Sequence, residues 1–231
     1  MSQKLKLYKE RREFFMDPRH ALAEGVVAIS DEVDADLLFE AYSFGIFPWP
    51  HNEYDPVLWF CPSRRGILDF SKFHVARSLE KFKRKNTWRI TFDTAFDEVM
   101  VQCSLAKRPD QTGTWITPRM KSAYSQFHHL GYAHSVECWD GNQLVGGLYG
   151  VYVAGVFSAE SMFYSEANAS KLCVLALVEK LRGAGLTWLD IQMLTPHMKS
   201  MGGVEINRKA YLERLDQAKR FAAPISFGSE K

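Results

Sequence analysis

The chain has 231 residues, 46% of them apolar and 24% charged, and carries a net charge of +2. That composition suits one large globular domain or two small ones and excludes a disordered or fibrous chain. No apolar run approaches the ~20 residues of a membrane-spanning helix, and the stretch from Lys4 to Glu13 lacks the apolar centre of a secretory leader, so the expected location is cytoplasmic, with no membrane partner.

The first element is a helix. Asp34 stands before Ala35–Phe44 and Gly45 follows, which reads as an N-cap, a helix and the glycine just past its end. Gly45-Ile46-Phe47-Pro48-Trp49-Pro50 cannot continue it, and the two prolines stiffen the segment and fix Trp49 in space. Residues 1–62 are expected to form a small N-terminal α/β cap domain, and residues 63–231 the domain that carries the chemistry.

Between Lys72 and Arg89, seven basic residues stand against Glu80 alone, so the rest of the chain is net negative. Val75, Leu79 and Phe82 recur at helical spacing, and Arg77, Lys81 and Arg84 fall on the opposite side. The segment is predicted to be an amphipathic helix with a cationic stripe, which fits either a polyanionic partner or a solvated face. A strand at Trp88–Phe92, a helix near Thr94–Leu105 and a polar loop over Lys107–Gln111 are expected next. Thr117-Pro118 opens a helix that Gly131 stops.

The second half is richer in β-branched and aromatic residues. Strands are predicted at Ala133–Trp139, Gln143–Val151 and Val153–Phe163, with a hairpin turn at Asp140-Gly141 and a weaker turn signal at Gly155. The helix predicted over 167–183 is apolar around most of its girth and must be buried against a sheet. A strand at Thr187–Met193 and a helix from near Asn207 through Tyr211 and Leu215 complete the chain. The fold class is α+β. The meander, central helix and further strand resemble the core of the GCN5-related N-acetyltransferase fold, a likeness that by itself says little about chemistry.

The four cysteines, Cys61, Cys103, Cys138 and Cys173, form no C-x-x-C pair and stand at no zinc-like spacing to histidine, so neither disulfides nor a metal are expected. The chemistry-bearing residues are carboxylates and an amide. Glu160 ends an apolar strand, and Asp190 and Gln192 stand two apart on another. Residues two apart share a face, which puts Asp190 with Gln192 and turns Ile191 away. An acid and an amide at a sheet rim can hold and move a proton. The structural alternatives are a strand-end cap for Asp190 and an ion pair for Glu160.

Several motifs then occur in one order: Gly45-Ile46-Phe47-Pro48-Trp49, Gly113-Thr114-Trp115-Ile116-Thr117, His134-Ser135, Leu144-Val145-Gly146-Gly147-Leu148-Tyr149-Gly150-Val151, Glu160-Ser161-Met162-Phe163, Asn168-Ala169-Ser170-Lys171 and Asp190-Ile191-Gln192. On these residues, from about 35 to 215, the chain resembles the leucyl/phenylalanyl-tRNA–protein transferases. The resemblance implies transfer of leucine, phenylalanine or sometimes methionine from aminoacyl-tRNA to proteins with an N-terminal lysine or arginine, marking them for degradation, with no metal or organic cofactor. It implies that Asp190, Gln192 and Glu160 serve catalysis. Asp190 would attract the acceptor ammonium and take its proton, directly or through Gln192 and the terminal ribose. Gln192 would act as a bridge or as an oxyanion donor. Glu160 would hold either the donor's ammonium or the acceptor's basic side chain. It further implies that Trp49 and Trp115 stack on the terminal adenine. The implied aminoacyl slot is Leu148, Phe157, Val174, Leu177, Leu181 and Leu189, and the implied phosphate contacts are Arg77, Lys81, Arg84 and Lys85.

Two positions depart from the family pattern. Ala28-Ile29-Ser30-Asp31 lacks the usual Gly-Gly-Asp, and Thr195 stands where many members have asparagine. The rival readings are a non-catalytic tRNA-binding module and an acyl-CoA N-acetyltransferase on the same fold. The second needs a glycine-rich pyrophosphate loop before the central helix, whereas this chain has Tyr164-Ser165-Glu166-Ala167-Asn168-Ala169.

Overall fold

The computed structural model describes residues 14–106 and 114–228, so the polar loop expected over Lys107–Gln111 lies outside the described residues. Near the start, strands β1 (Val26–Ser30), β2 (Phe47–Pro48) and β3 (Val57–Phe60) form an antiparallel sheet in the order β1-β3-β2. Helix α1 (Ala35–Ser43) lies between β1 and β2, and the Asp34 carboxylate caps it by accepting from the Leu37 N–H at 2.7 Å. Gly45 ends this unit with φ +74°, and a Cβ there would stand 2.6 Å from the Tyr211 ring, so both backbone conformation and packing demand glycine.

The larger sheet has seven strands: β4 (Arg64–Asp69), β5 (Arg89–Phe92), β6 (Ala133–Asp140), β7 (Gln143–Val153), β8 (Val156–Tyr164), β9 (Trp188–Gln192) and β10 (Val204–Asn207). Their order is β10-β4-β9-β8-β7-β6-β5. All neighbours are antiparallel except β8 and β9, which the long helix α5 must connect. The other helices are α2 (Arg77–Lys85), α3 (Phe96–Leu105), α4 (Pro118–His129), α5 (Ala169–Gly183), α6 (Pro196–Ser200) and α7 (Arg208–Arg220). Thr117 caps α4 and Asn207 caps α7, each by accepting from the N–H three residues on.

The sheet is covered on both faces. Leu148 of β7 belongs to an apolar cluster with Leu172, Val174, Leu177 and Val178 of α5, while the next residue, Tyr149, belongs to a second cluster with α3 and α4. Adjacent glycines show the same division. A Cβ on Gly146 would meet Ala169 of α5 at 2.5 Å, and one on Gly147 would meet Val99 of α3 at 3.0 Å. Leu38, Ile46 and Trp59 of the small N-terminal unit share the α3–α4 cluster with Tyr124 and Tyr211. All four cysteines are buried and free. Strands β1, β2, β3, β4 and β10 and helix α6 were not among the sequence-predicted elements; β2 falls in the proline-stiffened segment expected to be a loop. Arg64-Arg65-Gly66 opens β4 with charge and a glycine, which hides the strand from pattern reading.

Candidate functional site

Strands β8 and β9 keep one register pair, Ser158 with Asp190, and diverge beyond it. On the other side of β8, Tyr149 pairs with Ser161 and Gly150 with Ala159, so Glu160 is the extra residue of a bulge. A bulge bends its strand and re-aims the extra side chain. The divergence opens a cavity of about 430 Å³ lined by both strands, by α5 and by the segment around Trp49.

Glu160 lines this cavity. Its Oε1 accepts from the Gln192 amide at 2.7 Å, and its Oε2 accepts from the Tyr124 hydroxyl at 3.4 Å. Behind it, the Tyr124 and Tyr42 hydroxyls lie 2.5 Å apart. Burial pushes the Glu160 carboxyl up to about 7, against the hydrogen bonds from Tyr42 and Gln192, which favour the charged form. Burial and then the Glu160 charge raise both tyrosines well above the usual phenol range. The arrangement can therefore hold or release one proton near neutrality, beside an amide that can donate a hydrogen bond.

Asp190 takes a different position from the expected one. Leu189 and Ile191 line the cavity, so alternation turns Asp190 to the opposite face, where it is fully buried. Arg65 of β4 grips it with two hydrogen bonds, Nε to Oδ1 at 2.9 Å and Nη2 to Oδ2 at 2.6 Å. Tyr211, Ser158 and the Gln192 N–H also donate to it, at 3.0, 3.2 and 2.8 Å. The guanidinium stands between the rings of Phe47 and Tyr211, 4.6 and 4.5 Å from their centroids. Burial works against the Arg65 charge, but the Asp190 carboxylate outweighs it and holds the guanidinium firmly protonated. An amine in the cavity has no direct access to such a carboxylate, which corrects the expectation of direct contact. Gln192 parts from Asp190 because its φ of +58° breaks the alternation and lets its side chain join Glu160 at the cavity.

Trp49 and Trp115 both line the cavity and are half-buried. Trp49 is held by its N–H bond to Leu58 O at 2.7 Å and by ring contacts with Phe47 and Phe60. Trp115 meets the Tyr124 ring edge-on. Of the six apolar slot candidates, Leu148, Val174, Leu177 and Leu189 line the cavity. Phe157 and Leu181 do not; they are fully buried in the same apolar cluster as those four residues. Ile191 and Met162 line it instead and were not singled out, although Met162 belongs to the Glu160-Ser161-Met162-Phe163 motif.

Arg77, Lys81, Arg84 and Lys85 are all exposed on α2, away from the cavity lining, while Leu79 faces the core. The neighbouring Lys83 pairs with Glu179 of α5 at 2.8 Å. Thr195 lines the cavity and caps α6 by accepting from Met198 N–H at 3.2 Å, a task that threonine shares with asparagine. Ser30 accepts from the Trp59 indole at 2.9 Å, which ties down the segment that lacks the glycine pair. His134 and Ser135 lie elsewhere, bonded to Asp93 at the turn into α3. Among the described residues, no three His, Cys, Asp or Glu side chains are grouped so as to hold a metal, and no helix is long and apolar enough to cross a membrane.

The residues that buttress the site, Arg65, Tyr211, Tyr42 and Tyr124, carry no sequence signal. Each comes from an element far away in the chain and meets the site only through the fold.

Comparison with known proteins covers nearly the whole chain. Residues 67–216 match the family described as leucyl/phenylalanyl-tRNA protein transferase, and residues 31–63 match the N-terminal domain of the same family. A leucyl/phenylalanyl-tRNA–protein transferase of Desulfatibacillum aliphaticivorans is 42% identical over 90% of this chain and 88% of its own. One from Pseudoalteromonas atlantica is 45% identical over 88% of this chain and 87% of its own. Among solved structures, a functionally unknown conserved protein of Staphylococcus epidermidis aligns at 12% identity and a TM-score of 0.42, over 79% of this chain and 68% of that one. The agreement of two family models with relatives of this identity means that the chain belongs to the leucyl/phenylalanyl-tRNA–protein transferase family and is an aminoacyltransferase.

Proposed function

We propose that the cavity joins the aminoacyl ester at a tRNA 3′ end to the α-amino group of a protein that begins with lysine or arginine. The donors are leucyl-, phenylalanyl- and methionyl-tRNA, and the product is marked for degradation in the cytoplasm. The observation that carries this reading is a largely apolar cavity, lined by Trp49 and Trp115, into which the hydrogen-bonded Glu160–Gln192 pair projects.

The amine nitrogen attacks the ester carbonyl, the carbon–oxygen bond to the ribose breaks, and the departing ribose oxygen takes up the proton that the amine loses, becoming a hydroxyl. Aminolysis of an ester runs downhill and needs no nucleotide hydrolysis. An α-amino group has a pKa near ~8, so presenting it neutral costs only about 1 kcal/mol, whereas holding two reactants in register is worth up to roughly 7–11 kcal/mol. Orientation therefore dominates. Glu160 receives the acceptor's proton or its basic side chain, and Gln192 donates to the developing oxyanion. Asp190 acts as a positioning residue: through Arg65 and its bond from the Gln192 N–H, it fixes the backbone turn that presents the amide. Trp49 and Trp115 offer flat faces to the terminal adenine. The apolar walls admit Leu, Phe and Met by shape and bar side chains branched at Cβ. The way the larger sheet parts at β8 and β9 supports the likeness to the GCN5-related N-acetyltransferase core.

Transfer of labelled leucine from leucyl-tRNA to a protein beginning with arginine tests this reading. Label should be incorporated by the wild-type chain, not onto the same protein beginning with glycine, and Trp115→Ala should lower kcat/KM by about tenfold or more. Binding of tRNA without incorporation would favour the non-catalytic module.

A further inference from the structure

The segment Asn168-Ala169-Ser170-Lys171 has no role in the chemistry above. It forms the first turn of α5, and Asn168 enters that helix with φ +76° and no side-chain cap. Ser170 is only 4% exposed and lines the cavity, yet its hydroxyl has no hydrogen-bond partner among the described residues. Lining the same cavity, His197 of α6 buries an Nε2 atom that also lacks a partner. Beside Ser170, Lys171 is half-buried and makes no ion pair among the described residues. It stands close enough to His197 to disfavour the imidazolium, second to burial. The positive end of the fifteen-residue helix dipole falls on the same corner.

An unpaired hydroxyl and an unpaired imidazole nitrogen thus line the same cavity, and the Lys171 ammonium stands beside that imidazole, one residue past Ser170 at the N-terminus of α5. Glu160 and Gln192 already partner each other, so this corner addresses a different part of the ligand. We infer that Ser170, Lys171 and His197 form a subsite for the phosphodiester on the 5′ side of the donor's terminal adenosine. This rests on the transferase reading above. The subsite is distinct from the exposed stripe on α2: it binds the last phosphate of the strand, within the cavity, and it fixes how deeply the ester enters.

The test compares two minimal donors, leucyl-adenosine and the same compound bearing a 5′-methylphosphate diester. For the wild-type chain, kcat/KM should be about tenfold or more higher with the diester. The ratio is taken within each variant, so losses of folded protein cancel. Lys171→Gln should bring it to within about twofold of one, and Ser170→Ala and His197→Gln should each lower it. A wild-type ratio near one, or a ratio that survives Lys171→Gln, overturns the subsite while leaving the transferase reading intact. No transfer from either donor overturns the transferase reading and this inference with it.

Discussion

Glu160 owes its properties to a single extra residue in a strand. In a regular β8 it would pair across to β7; as the bulge residue it enters the cavity and meets Gln192 and Tyr124. Its carboxyl lies at about 7 instead of the ordinary 4.5 because burial penalises the charged form. The folded state therefore favours the protonated group. That contribution is fully present below about pH 4.5 and is lost as pH rises through about 7. Glu160→Gln removes the titration. Relative to the variant, the wild-type melting temperature should fall between about pH 5 and pH 8, by a difference worth roughly 2 kcal/mol once water in the cavity is allowed for. Parallel stability curves across that window would mean that Glu160 titrates as an ordinary surface carboxyl. At the same scale, Asp190 is held in place by five hydrogen bonds, two of them from Arg65, and its influence passes through what it holds.

At the scale of elements, α2 separates packing from recognition. Leu79 is buried, Phe82 half-buried, and Arg77, Lys81, Arg84 and Lys85 point to solvent with no ion pair among the described residues. Reversing charge at Arg77 and Lys81 should leave folding intact and weaken binding of every tRNA alike. It should also lower the steepness of the salt dependence by about one for each phosphate no longer neutralised. Equal affinities for wild type and variant across a salt titration would remove this helix from the interface. Helices such as α2 and the β6–β7–β8 meander were legible in the sequence because a period of 3.6 or 2 and a turn glycine mark each one locally. Strand β4 was not, since Arg65 looks like a surface charge until Asp190, 125 residues away, meets it. The Asp190–Gln192 pairing was misread for a local reason: alternation holds only while φ stays negative, and Gln192 departs from it at the last residue of the strand.

For the molecule as a whole, the seven-stranded sheet is continuous in order but not in bonding. On one side of the cavity, β10, β4 and β9 form one antiparallel group, and on the other β8, β7, β6 and β5 form a second. The two groups share one backbone register pair, Ser158 with Asp190, reinforced by the 3.2 Å side-chain bond between the same residues. The sheet is thus two plates joined by one backbone rung and two side-chain bonds, Ser158–Asp190 and Glu160–Gln192. In dilute denaturant the plates should part before either frays, and hydrogen–deuterium exchange would register this as early labelling along the seam at Ser158 and Asp190 while amides within β6 and β7 stay protected. Uniform labelling across all seven strands would contradict it.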